Sequence, residues 1–125
     1  MRSAAVADDL ISMAPPRKIA CMLSNARLRA KKKGVPFDFS RDDLKAALSR
    51  QGWKCALSGL DLRFDGPGSD RRLVPSMDRI VPAKGYVRGN VRIVCHAVNI
   101  ARHEWGDAGF LEICRAVVTK AEARQ

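Results

Sequence analysis

The sequence predicts a single small α+β domain, and three observations carry that expectation. At 125 residues the chain is one domain's worth of protein. Segments with apolar residues spaced three and four apart, the period of one helical face, stand near its beginning, in its middle and at its end. Between them lie short apolar runs bounded by glycine, proline and serine, which read as strands and turns.

Each element follows in order. Residues 1–16 end in Ala14, Pro15 and Pro16 and read as a weakly ordered lead, or a short helix stopped by the proline pair, ahead of a domain over 17–125. From Arg17, the positions Ile19, Met22, Leu23, Ala26 and Ala30 share one helical face, closed by Gly34. Residues 35–39 are extended. Ser40 with Asp43 three residues on forms a capping-box start for a second helix, whose buried stripe is Leu44, Ala47 and Leu48 and which Gly52 ends. Apolar runs at 53–57 and 60–64 flank Ser58-Gly59 and predict a β-hairpin. Residues 65–70 are a loop by composition. A strand over 74–81, a turn at 82–85 and a returning strand at 91–94 lead into a helix over about 95–105. The last helix, roughly 107–123, is expected to present Phe110, Leu111, Cys114, Val117 and Val118 to the core, with Trp53 and Phe64 adding to it.

Composition narrows the function classes. With 46% hydrophobic and 29% charged residues, the excess of 23 Lys+Arg over 13 Asp+Glu, a net +10, belongs to a folded surface and not to a disordered tail. Lys, Arg or Asp interrupts every candidate membrane span, and Asp8 and Asp9 stand where a signal peptide needs apolar residues, so a soluble, cytoplasmic protein is expected. Cys21, Cys55, Cys95 and Cys114 are scattered singly and read as reduced, mostly buried thiols. A compact basic protein of this kind meets a polyanion, with nucleic acid the leading candidate.

Arg17, Lys18, Arg27, Arg29, Lys31, Lys32 and Lys33 form the densest basic stretch, with no acidic residue among them. Two readings stand side by side. Clustered cations gain by counterion release when they track a phosphate backbone. Cations at a helix C-terminus are also favoured by its dipole without any ligand.

The stretch 75–103 carries the chemistry. Asp78 lies on a strand, Gly85, Tyr86, Gly89 and Asn90 form a glycine-rich connection, and Asn99 and His103 stand at i and i+4 on the following helix. A carboxylate on one element facing two ligand-type residues on the next leaves coordination positions open for water and phosphate, as a hydrolytic metal site requires. Read blandly, Asp78 stabilises a turn, Asn99 decorates a helix, and Gly89-Asn90 is a tight turn.

These residues resemble the HNH nucleases, the His-Me finger or ββα-metal family, with the motif at about 75–105. The segment Cys55 to Leu60 and the basic leader Ala26 to Phe37 are similar to segments of small HNH proteins of phages and bacteria. The resemblance implies a DNA endonuclease using one divalent cation, Mg²⁺ or Mn²⁺, held by Asp78, Asn99 and His103 in an oxygen-rich site, with no small-molecule cofactor and no membrane partner. It implies that Asn90 braces the loop. It also implies that the Arg17 to Lys33 helix, with Arg71, Arg72, Lys84, Arg88 and Arg92, follows the nucleic-acid backbone.

Two departures from the family pattern matter. Ser58 follows Cys55 and Val98 follows Cys95 where many relatives carry zinc-binding partners, so no structural zinc is expected. Arg79 occupies the position of the general-base histidine, and a guanidinium cannot accept a proton from water, although it can clamp a phosphate. His96 is then the candidate base. The alternative is a catalytically degenerate member that binds DNA or RNA, in a regulatory role, without cutting.

Overall fold

The computed structural model describes residues 16–65, 68 and 70–124. Of the predicted lead, residues 1–15 lie outside the described residues. Pro16 belongs to the first helix among the described residues, where its fixed φ suits the first turn and its missing N–H costs no hydrogen bond.

Helix α1 (Pro16–Lys33) buries Ile19, Met22, Ala26 and Ala30, the face its spacing predicts. Gly34, at φ +67°, closes it, and the Val35 N–H donates to the carbonyl of Ala30. The chain then forms β1 (Phe37–Asp38) and α2 (Arg41–Arg50). Ser40 caps α2 reciprocally: its hydroxyl accepts from the Asp43 N–H at 3.1 Å, and its own N–H donates to the Asp43 carboxylate at 2.9 Å. Leu44, Ala47 and Leu48 are buried as expected.

The predicted hairpin at 53–64 is reduced to one antiparallel bridge, Lys54 with Asp61. Cys55 N–H donates to Leu60 and Leu62 N–H to Trp53, but Gly59 at φ +73° turns the chain back onto Cys55. The segment is a closed loop whose apolar side chains Trp53, Cys55 and Leu62 still reach the core. Trp53 meets Phe64 edge-on, ring centres 5.0 Å apart.

After a single 3₁₀ turn at Arg71–Leu73 come β2 (Pro75–Arg79), a second 3₁₀ turn at Pro82–Lys84, β3 (Tyr86–Val87) and β4 (Val91–Cys95). β2 and β4 pair antiparallel, with Asp78 opposite Arg92, whereas β1 and β3 pair in parallel, Phe37 opposite Tyr86. Helix α3 (His96–Arg102) follows β4 directly. It stops short of the predicted end because His103 takes φ +46°, a backbone state that no helix continues. Helix α4 (Gly106–Glu122) ends the described chain. Mixed helix and short antiparallel and parallel pairs make this an α+β domain. No helix among the described residues is long and apolar enough to cross a membrane.

Ile19, Leu44, Leu48, Ile93, Val94 and Cys95 are the fully buried centre, supplied by α1, α2 and both faces of β4. One expectation is overturned: none of the residues of α4 is buried. Phe110 and Cys114 are half-buried, while Leu111, Val117 and Val118 face outward and Trp105 is 71% exposed. A 3.6-residue apolar period identifies the helix but not what its stripe meets.

Candidate functional site

β2, the start and end of α3, the C-terminal half of α1 and the loop carrying Tyr86 enclose a cleft of about 320 Å³. Asp78, Arg79, His96, Asn99 and His103 all line it, together with Arg29 and Lys33 from α1. The residues that the sequence assigns to a metal and its surroundings therefore do share one cavity.

Their partners set what that cavity can do. Asp78 is 5% exposed, and each of its oxygens faces a guanidinium: Oδ2 accepts from Arg92 Nε at 2.8 Å and Oδ1 from Arg102 Nη1 at 3.1 Å. Both arginines continue to Asp107, Arg92 through Nη1 and Nη2 at 2.8 and 2.6 Å and Arg102 through Nε at 2.6 Å. Arg102 also donates to the carbonyl of Ile80. The result is a closed group of two carboxylates and two guanidinia linking β2, β4, α3 and the first turn of α4. The hydrogen bond from Arg92 holds the Asp107 carboxyl well below the usual carboxylate range, aided by Arg102 and opposed by partial burial. Reciprocally, Asp107 holds the Arg92 guanidinium above its ordinary value.

This corrects the expectation for Arg92. Its side chain is 14% exposed and committed to two carboxylates, so it does not lie free to track a phosphate backbone. The arrangement also fails to fit the implied divalent cation at Asp78, because a cation seated there would face two guanidinia a hydrogen bond away. Among the described residues no group of three or more His, Cys, Asp and Glu could hold a metal ion.

The other candidates are placed as follows. Asn99 donates through Nδ2 to the Ser76 hydroxyl at 2.6 Å. His96 and His103 are exposed at the two ends of α3, His103 edge-on to Trp105 at 5.9 Å. Arg79 donates to the carbonyl of Pro82 at 2.9 Å and lies 5.5 Å over the ring of Tyr86. Arg29 lies on the same ring at 5.9 Å and donates to its hydroxyl at 3.2 Å. Tyr86 thus holds two cleft guanidinia in place through cation–π contact.

The loop that carries Tyr86 is tied from inside. Asn90 is 5% exposed; its Oδ1 accepts from Val81 N–H, and its Nδ2 donates to the carbonyls of Val81 and Gly85 at 3.0 and 2.6 Å. Gly85 sits at φ +77° with its α-carbon so close to Pro36 that a Cβ would fall 2.3 Å from the Pro36 carbonyl oxygen. This close approach is what lets β3 pair with β1.

The predicted backbone-tracking cations divide into groups. On α1, Arg17, Arg27, Arg29, Lys31, Lys32 and Lys33 are exposed and Lys18 is half-buried. Arg27 covers the ring of Phe37, and Lys33 pairs with Glu104 at 3.2 Å at the cleft edge, which draws the Glu104 carboxyl below its ordinary value. Arg71, Lys84 and Arg88 are exposed; Arg72 grips Asp70 with two nitrogens, and Arg88 stands 4.0 Å from Asp43.

Sequence reasoning misses Arg102, Asp107, Ser76 and Glu104. Arg102 stands three residues after Asn99 on the same helical face, which was the available signal for it. Nothing local in the sequence marks Asp107 as its partner. Cys55 and Cys95 are both buried. Burial pushes both thiols up, but hydrogen bonds led by the Ser58 hydroxyl outweigh it at Cys55, whose net shift is downward, whereas Cys95 stays raised. No family model, curated protein or solved structure matches the chain.

Proposed function

We propose that this protein binds a nucleic-acid phosphate backbone, DNA first among candidates, across the cleft and the adjoining basic face of α1, and does not hydrolyse it. The observation that carries this reading is the state of Asp78, whose two oxygens are both taken by Arg92 and Arg102. A carboxylate neutralised in this way serves the fold. Arg79 has no proton-accepting capacity at the place where a general base would stand. What remains toward the cleft is mostly cationic and hydrogen-bonding: Arg29, Arg79, Asn99, two histidines, and Lys33 paired at the edge with Glu104. Such a lining suits phosphate oxygens, and the net charge of +10 supplies long-range attraction.

A second reading, an HNH-like endonuclease dependent on Mg²⁺ or Mn²⁺, is favoured by one observation, that Asp78, Asn99, His103 and His96 line the same cleft. One experiment separates the two. Labelled duplex DNA and single-stranded RNA are titrated by fluorescence anisotropy at about 50 to 200 mM salt, and supercoiled plasmid is incubated with Mg²⁺, Mn²⁺ or EDTA. The expected result is tight, steeply salt-dependent binding with the plasmid left supercoiled. Metal-dependent nicking that EDTA stops and that His96→Ala, at the exposed candidate base, abolishes overturns the non-cleaving reading. Absence of binding to either nucleic acid overturns both.

A further inference from the structure

Two of the four cysteines form a pair that neither the cleft nor the ion-pair group uses. Cys55 and Cys95 are 3% and 2% exposed, whereas Cys21 is exposed and Cys114 half-buried. Cys55 lies in the closed loop after α2, and Cys95 is the last residue of β4. Their backbones are tied side by side, because Ala56 N–H donates to the carbonyl of Ile93 at 3.0 Å.

The sulfurs themselves meet. The Cys95 thiol donates a hydrogen bond to the Cys55 sulfur, which also accepts from Ser58 N–H at 3.4 Å, from the Ser58 hydroxyl and from the N–H groups of Leu57 and Cys95. Donors gathered on one sulfur stabilise its thiolate, so Cys55 is the nucleophile of the pair and Cys95 the thiol beside it.

Both lie just beneath the surface. Ala56, Ser58 and Gly59 follow Cys55, His96 and Ala97 follow Cys95, and all five are exposed. A single turn of chain separates each sulfur from water, which favours a small oxidant over a bulky one.

We propose that Cys55 and Cys95 are an oxidation site, which hydrogen peroxide converts to an intramolecular disulfide tying the 53–62 loop to the start of α3. The Cys55 thiolate attacks one peroxide oxygen, the O–O bond breaks, and the other oxygen leaves as hydroxide and takes up a proton, giving water and a sulfenic acid. Cys95, losing its proton, attacks the Cys55 sulfur; the S–O bond breaks and a second water leaves. The two thiols give up two electrons, and one peroxide becomes two waters. Because α3 starts at Cys95, the bond anchors the helix that carries His96, Asn99 and Arg102. None of this depends on what the cleft binds.

The test uses the full chain with Cys21→Ser and Cys114→Ser, which leaves Cys55 and Cys95 as its only thiols. After peroxide treatment and alkylation of remaining thiols by iodoacetamide in denaturant, non-reducing tryptic mapping should show peptide 55–63 joined to peptide 93–102. Dithiothreitol should separate them. The oxidised protein should melt several degrees above the reduced one. In the same background, Cys95→Ala should hold a sulfenic acid on Cys55 that dimedone traps, and Cys55→Ala should leave Cys95 unlabelled. Mapping keeps both cysteines in place, so it decides the matter even where an alanine variant fails to fold. Both cysteines recovered alkylated, sulfinic acids without a joined peptide, or disulfides only between chains overturn the proposal. A joined pair that melts no higher than the reduced protein overturns the tie to α3, and dimedone on Cys95 alone overturns the order of attack.

Discussion

Arg102 and Asp78 meet in the interior of the domain, Nη1 to Oδ1 at 3.1 Å, with 3% and 6% of their side chains exposed. One residue closes α3 and the other stands in β2, so the pair fastens the helix to the sheet at the base of the cleft. Breaking such a pair from one side strands the remaining charge away from water, at a cost of about 3–5 kcal/mol. Arg102→Ala and Asp78→Ala should each lower unfolding stability by that order in urea titrations. An Asp78→Ala protein as stable as the original would remove the structural role assigned to this carboxylate.

The same group predicts an acid limit. The folded-state pKa of Asp107 is depressed, so its contribution is present above the unfolded value, near 4, and is lost as pH falls through the folded value. Thermal stability should therefore be level between about pH 5 and 7 and decline below about pH 4. Asp107→Asn should flatten that decline and lower the melting temperature at neutral pH. The effect is smaller than at Asp78, because the Asp107 side chain is 39% exposed and water screens the pair.

Asn90 makes three hydrogen bonds to the backbone of the loop it closes. Asn90→Ala leaves those groups without partners in a buried setting, and a loss of at least about 1–3 kcal/mol is expected. Amide exchange at Val81 should rise in step with it. Unchanged protection there would show that the loop holds without its brace.

Gly85→Ala tests the close approach to Pro36. The added methyl meets a backbone oxygen, and its φ of +77° is one that alanine rarely adopts. The melting temperature should fall by several degrees or more. The shift should be accompanied by weaker nucleic-acid binding, since the same loop presents Tyr86 and, through it, Arg29 and Arg79.

The salt dependence of DNA binding distinguishes the cations. If α1 follows the phosphates, Lys32→Ala should reduce the slope of log affinity against log salt by about one. Arg92→Ala should destabilise the fold while leaving that slope nearly unchanged. Equal slopes for the original protein and Lys32→Ala would remove Lys32 from the interface.

Most of the secondary structure is legible from local chemistry. The Ser40–Asp43 capping box, the glycines after α1 and α2 and the three-four spacing of Ile19, Met22, Ala26 and Ala30 each act within one or two turns. The hairpin at 53–64 is misjudged because the pattern of apolar runs around a turn does not say whether the two runs pair along their length. Gathering Asp78, Asn99 and His103 into one cleft is anticipated by their order, since a strand leading by a tied loop into a helix brings those positions together.

By itself the sequence determines the α+β class, the basic face of α1, the order of strand, loop and helix around the cleft, and the incapacity of Arg79 as a base. These follow from properties of single residues or from periods of two and 3.6 residues, which any reader of the chain can count. Only the tertiary structure decides that Asp78 belongs to Arg92 and Arg102, and that the apolar stripe of α4 looks outward. An ion pair between residues 24 positions apart depends on where whole elements come to rest. A helix stripe has a partner only if the core has space left to receive it.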